Sequence, residues 1–173
     1  MVSKVLMISF ILMLIALLVY VIGFATPHLV DIELPPYKIY GGLWVRCQSL
    51  NDVKNCMETA DFQGTLGNLG NRGWVKASRA TSILGFIFLV TAIICVGLKL
   101  FAFKEKTYIL ITGICMTIAA VVFILVAVIV FTQNVEEVTF QYPFNYGFSF
   151  ALIIVGMCIA VIAGVIMLVE CFM

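Results

Sequence analysis

The chain has 173 residues, 64% of them hydrophobic and 11% charged, with a formal net charge of +1. A soluble domain carries about 25% charged residues, so the composition excludes an ordinary water-soluble globule. The near-neutral balance and the lack of any basic run give nucleic acid or an acidic surface nothing to bind.

The first apolar run covers 5–26 and holds no charged residue. Lys4 precedes it and Gly23-Phe24-Ala25 is a small-x-small site, as in a secretory leader. The run exceeds the 7–15 apolar residues of such a leader, so it is expected to stay as a membrane span. Three further uncharged runs follow, at 80–98, 108–131 and 147–169. Each approaches or exceeds the roughly 20 residues that cross a bilayer. In hydrocarbon each must be helical, because its backbone N–H and C=O groups find no water. The chain is thus expected to form one four-span membrane domain over 1–173.

The connections differ in size. The first, 27–79, is the long one. The second, 99–107, is a short turn with Lys99, Lys104 and Lys106. The third, 132–146, carries Glu136 and Glu137 but no Lys or Arg. Four spans put both termini on one side. Lys38, Arg46, Lys54, Arg72 and Lys76 in the long loop offset the lysines of the turn, so a Lys/Arg tally does not orient the protein. Cys47 and Cys56 do. They are the two cysteines away from the spans and their ends, and a disulfide persists on the oxidising side of a membrane. The long loop is therefore expected outside and both termini in the cytoplasm; two free thiols in a cytoplasmic loop are the other reading. Lys38-Ile39-Tyr40 and Leu43-Trp44-Val45 are strand-like and Leu50-Asn51-Asp52 offers a turn. A returning strand would bring the two cysteines together, and closing so short a loop stabilises by roughly 2–3 kcal/mol. Glycine recurs at every third position from Gly64 to Gly73, without the prolines of a collagen-like helix or the Lys-Ser/Thr of a phosphate loop. It reads as an extracellular loop.

Small residues mark close helix contacts in lipid. Gly156, Ala160 and Gly164 form one stripe at i, i+4, i+8, expected to pack inside the bundle. Ser9, Ala16 and Gly23 fall seven apart, as do Gly85 and Ala92. That spacing suits a left-handed bundle.

Chemistry-bearing residues are sparse. No ionisable side chain lies within a span, so no proton relay or ion path crosses the bilayer. The single histidine, His28, sits at the end of the first run and reads as an interfacial residue. Neither a nucleophile with a base nor a metal-ligand set is present in the pattern. No enzyme activity, metal, cofactor or small-molecule substrate is expected. No Asn-x-Ser/Thr acceptor lies in the loops at 27–79 and 132–146.

Gly42-Leu43-Trp44, with Cys47 and then Cys56, in the first extracellular loop of a four-span protein resembles the claudin superfamily. That group includes claudins, epithelial membrane proteins, peripheral myelin protein, lens intrinsic membrane protein and calcium-channel gamma subunits. Arg79 in Ala77-Ser78-Arg79-Ala80 matches the arginine that members carry where the second span begins. Tyr146-Gly147-Phe148-Ser149-Phe150 is similar to the start of the fourth span in epithelial membrane proteins, the branch nearest in motif, and in gamma subunits. The resemblance implies an all-α membrane protein, a left-handed four-helix bundle under a small antiparallel extracellular β-sheet. It places Trp44 near the top of the bundle, the disulfide between two strands, and Arg79 as a clamp on loop carbonyls.

Two departures stand out. Leu29 follows the first run where members often have tryptophan. The sequence stops at Glu170-Cys171-Phe172-Met173, without the scaffold-binding tail of classical claudins. Cys171 is third from last, so it is not a prenylation site, but it is a candidate for palmitoylation. Tetraspanins keep their large loop between spans three and four, and connexin-like channels carry cysteines in both outer loops, so neither layout fits. The resemblance implies a structural or adhesive protein of the plasma membrane at cell–cell junctions. The second expectation is an auxiliary subunit of a channel or receptor. Expected partners are membrane lipids and either further copies of the chain or another membrane protein.

Overall fold

In the computed structural model, residues 4–34, 37–50, 53–59, 73–102, 107–139 and 143–172 are described; the side chains of Leu34, Tyr37, Leu50 and 136–139 are not. The four uncharged runs form four helices: α1 (Lys4–Ala25), α2 (Gly73–Phe101), α3 (Thr107–Thr139) and α4 (Phe148–Phe172). All four are long and apolar enough to cross a membrane.

α2 and α3 overrun their apolar runs the most. α2 begins at Gly73, seven residues before the expected 80, and α3 ends at Thr139 rather than 131. The expected boundaries followed hydropathy, which is bounded by Lys76 and Arg79 in one case and by Thr132-Gln133-Asn134 in the other. A helix need not end there. At 1.5 Å per residue the 29 residues of α2 reach about 43 Å, well beyond a hydrocarbon core of about 30 Å. The excess lifts Trp74 and Arg79 toward the sheet.

The helices pair as α1 with α4 and α2 with α3. Ser9, Ala16 and Gly23 are all buried in α1, and Gly85 and Ala92 in α2. Gly156 lies against the α1 backbone. A Cβ there would stand 3.1 Å from Tyr20 N and 3.2 Å from Ala16 O. Gly85 instead makes room for a side chain of α3: a Cβ there would stand 2.7 Å from Ile124 Cγ1 and 3.4 Å from Ala120 O. Buried hydroxyls reach carbonyls of neighbouring helices, within both pairs and between α1 and α2. Ser9 Oγ donates to Ala163 O at 3.0 Å, Tyr20 Oη to Ser82 O at 2.9 Å and Ser78 Oγ to Ala127 O at 3.3 Å.

The sheet has five antiparallel strands: β1 (Val30–Leu34), β2 (Tyr37–Gly41), β3 (Val45–Leu50), β4 (Val53–Glu58) and β5 (Asn145–Tyr146), in the order β4-β3-β2-β1-β5. Two features differ from expectation. Leu43 and Trp44 stand outside the ladder, because β2 ends at Gly41 and β3 starts at Val45. β5 comes from the loop before α4, so both loops build one sheet. The turn residues 51–52 and the glycine-rich stretch at 64–72 lie outside the described residues.

The sheet rests on the bundle through apolar side chains. Val30 and Ile32 point from β1 toward the helices and are buried with Leu29, Leu43, Phe131 and Val135. Asp31 and Glu33 alternate to the other face.

Candidate functional site

The site is the junction between the sheet and the bundle, centred on Gly42-Leu43-Trp44. A tripeptide that leaves one strand and precedes the next has three carbonyls outside the ladder, and buried carbonyls need partners. All three have one. Gly42 O accepts from Thr59 Oγ1 at 3.3 Å and Trp44 O from Thr59 N at 2.8 Å. Leu43 O accepts from Arg79 Nε at 2.9 Å. Gly42 N donates back to Val45 O at 2.8 Å, which closes the turn.

Each side chain of the motif has a separate task. At Gly42 the chain crosses the exit of α1. A Cβ there would stand 2.6 Å from Pro27 Cα and 2.9 Å from Thr26 O, so the crossing has no room for a side chain. Leu43 is 5% exposed and enters the top of the bundle among Tyr20, Phe24, Ser82, Ile124 and Phe131. Trp44 is only half-buried. It packs edge-on against Phe24, with ring centroids 5.2 Å apart, and carries Arg79 Cζ 5.1 Å from its ring centroid. The resemblance implied that Trp44 inserts near the top of the bundle; here Trp44 packs on Phe24, while the more buried Leu43 lies among the helix side chains.

Arg79 therefore ties α2 to two residues of the tripeptide. It belongs to α2, donates to the tripeptide and stacks over the indole. The guanidinium geometry matters, because a planar fork can hydrogen-bond at its edge while its face lies on a ring.

Cys47 and Cys56 occupy directly paired positions of β3 and β4 and are joined by a disulfide. Cys47 is buried and Cys56 exposed. The bond locks the outermost strand of the sheet to its neighbour. Among the described residues no strand pairs with the other edge of β4, and all six of its residues are exposed, with Val53 at 71%.

Residues that sequence reasoning did not single out complete the junction. Arg46 counted only as part of a polar stretch, yet it is 4% exposed. It lies on the bundle side of β3 beside Val30, Gly41, Thr59, Trp74 and Phe131. Desolvation by burial pulls its guanidinium below the ordinary arginine value. Gly41 gives it room, since a Cβ there would stand 3.3 Å from Arg46 Nε. Thr59, which supplies two of the three turn contacts, carries no sequence signal.

His28 stacks on Tyr40 with centroids 4.6 Å apart, and its Nδ1 lies 3.1 Å from Asp31 Oδ1. Its carbonyl accepts from Ser149 N at 3.2 Å, while Gly147 N donates to Leu29 O at 3.1 Å. These bonds pin the start of α4 to the end of α1. A Cβ on Gly147 would collide with the His28 carbonyl, which explains the glycine of Tyr146-Gly147-Phe148.

The remaining singled-out residues lie away from the junction. Gly156 faces α1, Ala160 is fully buried, and Gly164 meets Thr117 of α3. The stripe thus touches two helices of the same chain. Cys171, in the last turn of α4, packs on the bundle core. Among the described residues no cluster of metal-ligating side chains occurs.

The family model for the PMP-22/EMP/MP20/Claudin family matches residues 3–167. The human protein "Epithelial membrane protein 3" is 24% identical over 126 residues, 72% of this chain and 72% of that protein. The zebrafish (Danio rerio) protein "p53 apoptosis effector related to PMP-22" is 24% identical over 126 residues, 71% of this chain and 63% of that protein.

Proposed function

The chain belongs to the PMP-22/EMP/MP20/Claudin family, and we propose that it serves as a non-enzymatic structural and adhesive protein at cell–cell contacts of the plasma membrane. One observation carries this reading. The sheet is fastened to the bundle by polar and apolar contacts at once, and it presents a disulfide-locked strand, β4, whose residues are all exposed. A fastened platform with an edge that no strand covers among the described residues suits contact with another protein, because strand edges offer a row of backbone donors and acceptors. A site for chemistry would instead be a closed pocket with convergent titratable groups.

In this reading the sheet lies outside the cell and both termini lie in the cytoplasm. The disulfide supports that orientation, since it needs an oxidising compartment. The partner is a second copy of the chain, in the same membrane or an apposed one. Arg79 and the tripeptide act as positioning residues that hold the platform at a fixed angle to the membrane.

The second reading, an auxiliary subunit that binds a channel or receptor through its helices, rests on the apolar outer faces of the four helices. Lipid alone accounts for those faces. Purification from native membrane in mild detergent separates the two. Arrays or oligomers of the chain alone are expected. A channel present at fixed stoichiometry would transfer the function to the second reading.

A further inference from the structure

The seam between α3 and α4 is open along part of its length. Ile118, Val121 and Val122 of α3 face Val161, Val165 and Leu168 of α4 across a groove of about 240 Å³ with Gly164 at its floor. Four of these side chains, Ile118, Val122, Val161 and Val165, are between 44% and 54% exposed. The groove lies inside spans that hold no charged residue. Its one hydroxyl is already used, since Thr117 Oγ1 donates to Gly113 O at 2.9 Å.

We infer that this groove holds one acyl chain of a phospholipid as a bound lipid, distinct from the exchanging lipid around the bundle. Three observations select that occupant. First, the surroundings are hydrocarbon at this depth, and the walls offer nothing to a polar group. Second, the dimensions fit a chain. The lining from Ile114 to Val122 spans about 12 Å of helix. Over that length a helix about 10 Å across would fill roughly 900 Å³, several times the groove's 240 Å³. Third, the floor is open for want of a side chain and not because backbones touch there. A Cβ on Gly164 would meet only Thr117 Cγ2, at 3.4 Å, whereas one on Gly156 would press on the α1 backbone at 3.1 Å. Close helix association uses small residues to bring backbones together. Gly156 does so; Gly164 leaves a trough.

The test uses the full chain in phosphatidylcholine vesicles containing a phosphatidylcholine with a diazirine in one acyl chain. After illumination, adducts are mapped by peptide mass spectrometry. Severalfold more label is expected on Ile118, Val122, Val161 and Val165 than on the comparably exposed Ile11, Leu18 and Ile87 of α1 and α2. Filling the trough with Gly164→Leu should remove the excess while labelling of α1 and α2 stays the same. The melting temperature of that variant should be no lower than that of the unaltered protein. Uniform labelling of all lipid-facing residues in the unaltered protein would overturn the inference without recourse to the variant. So would an excess that survives Gly164→Leu, or one that free sterol displaces and phosphatidylcholine does not.

Discussion

Arg79 links the second helix to the tripeptide at the junction. Its Nε holds the Leu43 carbonyl and its Cζ lies over the Trp44 ring. A hydrogen bond from a charged donor contributes about 1.5–3 kcal/mol. Lysine keeps the charge but lacks the fork and the flat face. Arg79→Lys is therefore expected to lower the melting temperature nearly as much as Arg79→Ala, with both measured in one detergent. A lysine variant that melts like the unaltered protein beside a damaged alanine variant would reduce Arg79 to an interfacial charge. This residue was legible in the sequence because a cation stands at the start of an uncharged run. Arg46 was not: its neighbours Trp44, Val45, Cys47 and Gln48 do not show which face of β3 it occupies. Only the register, which sets it opposite Gly41, turns it toward the bundle. Thr59 was hidden for a similar reason, since its two contacts reach back to the tripeptide across a strand pair.

Among the elements, the β3–β4 hairpin and the α1–α4 pair make separate contributions. The disulfide closes a loop with a sequence separation of 9, for which chain entropy gives roughly 2–3 kcal/mol. Cys47→Ser and Cys56→Ser should each lower surface yield to a similar degree, and the double variant should be no worse than either. Losses that add would contradict a shared bond. In α4, Gly156→Leu should destabilise the bundle by about 1–3 kcal/mol, the usual range for overpacking, because the Ala16 and Tyr20 backbone cannot yield. Thermal melting checks it, and a neutral Gly156→Leu would mean that α1 and α4 stand further apart. The helices were legible as apolar runs, but their ends were not. Lys76, Arg79 and Thr132-Gln133-Asn134 bound hydropathy without ending a helix. β1 was legible in principle, since Val30-Asp31-Ile32-Glu33-Leu34 alternates strictly. β5 has two residues and exists only because β1 offers it an edge, so no local pattern could reveal it.

At the scale of the whole molecule, the bundle mounts a sheet built from both loops. The bonds from Leu29 and His28 to Gly147 and Ser149 tie the two loops together at one end of the bundle. Among the described residues the sheet and its polar junction are gathered at that end, while the helices present mainly apolar side chains outward. An epitope tag at either terminus should be reached by antibody only after permeabilisation. An N-terminal tag labelled on intact cells would reverse the orientation. The role at cell contacts is tested most directly by co-culture. Cells expressing the fluorescent protein are grown beside cells that express it and beside cells that do not, and fluorescence at each kind of border is compared. The variant Val53→Lys with Met57→Lys alters two exposed side chains of β4 and should reach the surface normally. The unaltered protein is expected to concentrate at borders between two expressing cells and the variant to spread evenly over the surface. An unaltered protein that is as evenly spread as the variant would contradict an adhesive role for the sheet.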